Sequence, residues 1–155
     1  MPVRKLREFL DTNRIKYVTV THSTAYTAQE IAASAHIRGR ELAKTVMVKL
    51  DGKMAMAVLP ASQKVDFDLL KRMARAARAE LATEQEFKDA FPGCELGAMP
   101  PFGNLYGMEV YVADGLAEDD EIAFNAGSHT ELIRLKYLDF EQLVKPKVVE
   151  LASKV

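Results

Sequence analysis

The chain has 155 residues, of which 48% are hydrophobic and 28% charged, with a formal net charge of −1. That length and balance suit one globular domain over residues 1–155, of ordinary soluble composition and large enough to bury a core without staples. A single cysteine, Cys94, leaves no internal disulfide framework and points to a reducing, cytoplasmic setting. The start Met1-Pro2-Val3-Arg4-Lys5 has no apolar leader core and no run is long enough to cross a bilayer, so neither export nor membrane insertion is expected.

In chain order, Val3 to Asn13 carries Leu6, Phe9 and Leu10 at helical spacing and reads as a short amphipathic helix, followed by a strand from Ile15 to Val20. Thr27-Ala28-Gln29-Glu30 has the spacing of a capping box and opens a helix to about His36, which Gly39 ends. Lys44 to Leu50 and Met54 to Leu59 are two apolar strands around Asp51-Gly52-Lys53, a strong hairpin signal. From Asp66 the apolar residues Phe67, Leu70, Met73, Ala74 and Ala77 recur at helical spacing, with Lys71, Arg72, Arg75 and Arg78 on the exposed face. A short extended piece, Ala79 to Leu81, precedes a second capping box at Thr83-Glu84-Gln85-Glu86, whose helix runs to about Phe91 and stops at Pro92-Gly93. Met108 to Val112, Glu121 to Asn125 and Glu131 to Tyr137 read as strands, and Asp139 to Val144 as a final helix.

About six or seven strands, several in hairpins and interrupted by helices, predict a mixed α/β domain with a curved, partly closed and mainly antiparallel sheet. Charge is unevenly placed. Residues 36–80 hold ten Lys or Arg against five Asp or Glu, a local +5, whereas residues 81–155 hold six against fourteen. The first block, with Arg38, Arg40, Lys64, Lys71, Arg72 and Arg75, is the candidate face for a polyanion; a solvated helix surface would produce the same count.

Two irregular segments depart from ordinary connectors. Gly97-Ala98-Met99-Pro100-Pro101-Phe102-Gly103 is too apolar for a solvated loop, and its prolines and glycines suit a stiff segment folded over a pocket as its wall. Gly127-Ser128-His129-Thr130 lies between two apolar runs, where short polar side chains at a sheet end can converge on a ligand.

Lys44-Thr45 opening a strand, the Gly-containing Pro-Pro-Phe-Gly segment and Gly-Ser-His-Thr-Glu, in this order and with the hairpin and helices between them, resemble the YbaK/prolyl-tRNA synthetase-associated domain family over roughly Tyr17 to Val144. The resemblance implies a trans-editing aminoacyl-tRNA deacylase with a barrel-like mixed sheet and no cofactor or metal. Its partner is the acceptor end of tRNA, in some settings with an aminoacyl-tRNA synthetase, and neither DNA nor a membrane. Small residues of the alanine or cysteine class on tRNA(Pro) are the substrates it implies. Carried onto this chain, Lys44, Gly97 and His129 take the catalytic positions. Thr45, Ala98, Met99, Pro100, Pro101, Phe102, Gly127 and Ser128 take the substrate-binding ones, and His22 and Tyr26 stand as further pocket residues.

An aminoacyl ester is already activated and the terminal ribose supplies a neighbouring hydroxyl. Such a site needs to position a water and stabilise an oxyanion rather than supply a nucleophile. That accords with a sequence that has no Gly-x-Ser-x-Gly elbow and no metal-ligand spacing of His and Cys. On position alone Lys44 also reads as a solvated strand-end lysine, His129 as an exposed turn residue, His22 as a helix-entry residue and Thr45 as a strand former. His36 and Cys94 read as structural, and the methionines as core filler. A non-catalytic module that grips an aminoacyl group, a nucleotide or a protein is the alternative function.

Overall fold

The computed structural model describes residues 3–22 and 41–154. The helix expected over Thr27–His36, and with it Tyr26, Arg38 and Arg40, lies outside the described residues. Helix α1 (Arg4–Thr12) buries Leu6 and Leu10 completely. It leads to edge strand β1 (Tyr17–Thr21), which pairs with β8 (Glu131–Lys136). Strands β2 (Leu42–Leu50) and β3 (Lys53–Pro60) form the expected hairpin. Its two-residue loop has positive φ at both Asp51 and Gly52, the conformation that matches strand twist.

The main sheet runs β1-β8-β7-β2-β3-β6-β9, with β6 at Glu109–Ala113, β7 at Glu121–Ser128 and β9 at Lys147–Val149. Short β5 (Ala79–Leu81) pairs with the far end of β2. It is mixed: β2–β7, β3–β6 and β6–β9 are parallel and the other pairings antiparallel. The sheet curls into a half-barrel. A two-stranded ribbon of β4 (Gln63–Val65) and β10 (Ala152–Lys154) forms a separate sheet, with Val65 and Ala152 packed against the core. None of the described helices is long and apolar enough to cross a membrane.

Alternation along the strands sorts the interior into two clusters. One face carries Ala43, Met47, Met56, Val58, Phe124 and Ile133, covered by α1 and by α4 (Tyr137–Val144). At its centre Phe102 meets Phe9, Phe124 and Phe140 at ring-centroid distances of 6.2, 5.4 and 5.5 Å. The other face carries Val48, Ala55, Ala57 and Leu59 under α2 (Phe67–Met73), whose Leu70 is fully buried.

Two expectations are corrected. Helix α2 stops at Met73 rather than running to Ala77. Arg75 adopts φ +55°, Arg75 N–H donates to the Arg72 carbonyl and Ala76 N–H to the Lys71 carbonyl, so the chain turns off in a Schellman arrangement. Arg78 is then bound to the hairpin, its N–H donating to Asp51 Oδ1 at 2.8 Å. Arg75 and Arg78 therefore do not share a helix face with Lys71 and Arg72. The Thr83/Glu86 capping box is present, but its helix, α3, spans only Glu84–Phe87. After the expected final helix, found as α4, come β9 and β10, three-residue strands too short to show alternation in the sequence.

Candidate active site

Strands β2 and β7 are joined only at their beginnings, Leu42 beside Ala123 and Ala43 beside Phe124. The next pair in that register is Lys44 and Asn125, and here the ladder stops. Since Ala43 and Phe124 face the first core cluster, Lys44 and Asn125 both face the opposite side of the sheet. The β2–β7 ladder thus ends at a cation and an amide that share one side of the sheet. Lys44 is half-buried, and desolvation lowers its pKa from the ordinary lysine value. Asn125 is half-buried too, and its Oδ1 is enclosed without a hydrogen-bond partner among the described residues. Such a group is costly unless something donates to it. Asn125 adjoins the polar stretch that stands out in the sequence, yet nothing local marks its role, because only the parallel β2–β7 register shows that it stands beside Lys44.

Thr45 points the other way, on the face of Ala43 and Met47, and so does not share the side of Lys44. That follows from strand alternation.

Past Asn125, β7 bulges. Asn125 pairs with Leu132 and Ser128 with Glu131, leaving Ala126 and Gly127 as extra residues. Their backbone groups bond elsewhere: Val3 N–H donates to the Ala126 carbonyl at 2.8 Å, Glu95 N–H to the Gly127 carbonyl at 2.8 Å, and Gly127 N–H to the Ala98 carbonyl at 3.0 Å. Loop 95–98 is thereby stitched to the end of β7. Gly127 has φ +104°, and a Cβ there would sit 3.0 Å from Val3 Cβ, so glycine is required on two counts.

His129 braces the same loop from below. Its Nε2 is 2.9 Å from the Leu96 carbonyl, which can only accept, so Nε2 carries the proton. Its backbone N–H donates to Glu95 Oε2 at 3.3 Å. Gly97, at φ +85°, turns against the His129 ring, and its N–H lies 3.2 Å from Met99 Sδ. Ser128 Oγ lies 3.3 Å from Thr130 Oγ1. His22 enters the same end of the sheet, its N–H donating to the Thr130 carbonyl at 2.9 Å with the side chain buried.

The structure brings together Gly97, Ala98, Gly127, Ser128, His129 and His22, with Lys44 placed one residue past the β2–β7 ladder. It divides the apolar segment expected to wall a pocket. Only 95–97 is exposed; Ala98, Met99, Pro100, Pro101 and Phe102 are buried. Met99 and Phe102 belong to the core, where they anchor the loop rather than line an open wall. Two prolines suit this burial because they remove two backbone donors that an irregular buried segment would have to satisfy. Among the expected RNA-facing cations, Lys64 is exposed on β4, and Arg72 is exposed on α2 beside half-buried Lys71.

The aminoacyl-tRNA editing domain family matches residues 22–143. The chain is 32% identical to the multifunctional Ser/Thr-tRNA deacylase ProXp-y of Escherichia coli strain K12, over 94% of this chain and 90% of that protein. The O157:H7 protein of the same name matches to the same extent. Among solved structures, a candidate trans-editing enzyme for prolyl tRNA synthetase superposes with a TM-score of 0.81 at 20% identity, covering 97% of this chain and 96% of the other. A hypothetical protein superposes with a TM-score of 0.85 at 17% identity, covering 97% and 100%; at such identities the likeness is one of fold. On the family match and the curated relative together, the chain belongs to the aminoacyl-tRNA editing domain family, the YbaK-like deacylases.

Proposed function

We propose that this protein hydrolyses the ester bond of misacylated tRNA in trans, and that its substrates carry small, hydroxyl-bearing amino acids. The observation that carries the reading is the end of the β2–β7 ladder, where Lys44 and Asn125 stand next in register on one side of the sheet and Asn125 Oδ1 has no hydrogen-bond partner among the described residues. A partly desolvated ammonium on a rigid strand holds the anionic acceptor end as a point charge, and the terminal ribose hydroxyl helps to position the attacking water. The exposed turn 95–97, fixed by Gly127 and His129, limits the volume left for the amino acid. Lys44 and Gly97 act on the substrate directly in this reading. His129, with Nε2 committed to the Leu96 carbonyl, holds the turn.

The serine and threonine preference is supported by the name of the 32% identical relative, and the half-buried Asn125, next in register with Lys44, is the polar side chain there that a substrate hydroxyl would bond. The alanine or cysteine class on tRNA(Pro), implied by the family resemblance, is the competing substrate set. Deacylation of Ser-, Thr-, Ala- and Cys-charged tRNAs by the purified protein tests both levels. Turnover of the serine and threonine esters above the other two is the expected result; no turnover of any would overturn the enzymatic reading, and a preference for Ala-tRNA(Pro) or Cys-tRNA(Pro) would overturn the substrate assignment.

A further inference from the structure

Leu6 and Leu10 turn one side of α1 into the core, and Arg4, Lys5, Arg7 and Glu8 are left to the other side. These four residues, with the Pro92-Gly93 turn and Tyr106, line a groove of about 600 Å³. Its charge is three cations against one carboxylate. Arg4 is drawn to Glu8 at 2.7 Å, and Lys5 Nζ stands 4.9 Å over the Tyr106 ring, which holds the ammonium in place at the groove. The groove adjoins the candidate site through Val3. That residue lines it, donates its backbone N–H to the Ala126 carbonyl, and lies within van der Waals reach of Gly127.

We propose that this groove on α1 is the docking surface for the phosphate backbone of the substrate RNA next to its aminoacylated end. The inference rests on the reading above, that an aminoacylated RNA is the substrate, and adds where its backbone runs. An amino acid held beside Gly127 is attached to a polyanion that must leave the site across neighbouring surface, and α1 presents an excess of positive charge there. The cations of the 36–80 block stand elsewhere in the fold: Lys71 and Arg72 on α2 lie over the second core cluster, on the side of the sheet that Lys44 faces, and Arg75 and Arg78 on the turn latched onto the β2–β3 hairpin; the bond from Val3 to the end of β7 is what favours α1.

The test is binding of uncharged tRNA across a salt series, by fluorescence anisotropy, for the wild type and for Arg4→Gln/Lys5→Gln/Arg7→Gln, with Lys71→Gln/Arg72→Gln as the comparison. Neutralising α1 is expected to weaken binding about tenfold or more at low salt and to reduce the salt slope by roughly two to three, close to one for each phosphate that α1 no longer neutralises. Glu8→Gln, which removes the opposing carboxylate, is expected to tighten binding. In deacylation assays the triple variant should raise KM with kcat retained and should hydrolyse an aminoacyl-adenosine ester, which lacks phosphates, as the wild type does. An unchanged affinity and salt slope in the folded triple variant would overturn the proposal, as would a slope that falls only when Lys71 and Arg72 are neutralised. The enzymatic reading fails separately: salt-dependent tRNA binding through α1 without hydrolysis of any charged tRNA would remove the activity and leave the docking surface standing.

Discussion

Gly97 turns directly against His129: a Cβ at position 97 would lie 3.4 Å from Cε1 of the imidazole, and the backbone there holds φ +85°. The space is ordinary van der Waals contact, so a single methyl group fits, at a backbone cost of about 1–2 kcal/mol for an L-residue in this region. A β-branched side chain brings two more carbons toward the ring and has to displace it. Gly97→Ala is therefore expected to fold with a modest loss of stability and to keep measurable deacylation, whereas Gly97→Val should lose activity by more than about tenfold beyond its stability effect. Denaturant unfolding and single-turnover rates on both variants check this, and equal activity in the two would show that the ring contact is unimportant.

His129 acts through the same turn. With Nε2 donating to Leu96, its loss should loosen 95–97 rather than remove a proton carrier. His129→Ala is expected to raise KM more than it lowers kcat. His129→Gln, which supplies an amide N–H, should recover part of the loss without altering the shape of the pH–rate profile. A profile that loses one limb in His129→Gln would instead assign the imidazole to proton transfer.

Much of this arrangement is legible in the sequence because local rules decide it. Asp51-Gly52 specifies its hairpin, Thr83 and Glu86 their capping box, and the glycines flanking the Pro-Pro segment a turn that other residues resist. The β7 bulge and the position of Asn125 are not legible, since the parallel β2–β7 pairing joins residues about 80 apart and leaves no periodic trace. The helix that stops at Met73 misleads for a related reason. Its apolar spacing continues to Ala77, but Asp51, 27 residues away from Arg78, captures the backbone N–H groups of Ala77 and Arg78. Apolar content also suggests a pocket wall where burial makes a core: Phe102 sits among three aromatic rings.

Asn125 provides a test of substrate choice. If its carboxamide bonds the hydroxyl of a seryl or threonyl group, Asn125→Ala should lower kcat/KM for those esters by about 10- to 100-fold, the equivalent of roughly 1.5–3 kcal/mol. Hydrolysis of an alanyl ester should change little. A uniform loss over all esters would place the amide on the ribose or the α-amino group instead.

Tyr137 offers a control far from catalysis. Its ring is buried against Phe140, its hydroxyl has no hydrogen-bond partner among the described residues, and desolvation, aided by Glu141, pushes its pKa up to about 12. Tyr137→Phe removes the unsatisfied group while keeping the ring, and should raise stability by about 1 kcal/mol in urea unfolding at neutral pH. The pH dependence has a definite sign. A phenol whose pKa is higher in the folded state stabilises the fold less as pH rises, so the wild type should lose stability between pH 10 and about 12, and Tyr137→Phe should lose less. A destabilised Tyr137→Phe protein would mean that the hydroxyl is bonded in solution.

Lys44 should show function and stability pulling apart. Burial lowers its pKa, which means that the fold disfavours the ammonium relative to the unfolded chain. Below the lowered pKa this side chain therefore costs stability. As pH climbs from there toward the ordinary value of 10.5 the unfolded chain binds more protons, and stability attributable to Lys44 rises. Lys44→Met keeps the aliphatic stem and removes the charge, so at neutral pH it should stabilise the protein modestly, solvent at the half-exposed side chain screening much of the effect. It should also cost most of the deacylation rate, on the order of 2–4 kcal/mol in transition-state stabilisation, as for one preorganised electrostatic donor. Lys44→Arg distinguishes the two ways in which a lysine can serve here. An anchor for phosphate or ribose tolerates a guanidinium in part, whereas a neutral lysine acting as a base has no substitute in a group that stays charged. Partial activity in Lys44→Arg with an unchanged pH–rate profile is the expected outcome. Full loss in Lys44→Arg, with a wild-type rate that climbs through the lysine's titration, would make Lys44 the base, and near-wild-type turnover by Lys44→Met would remove it from the reaction altogether.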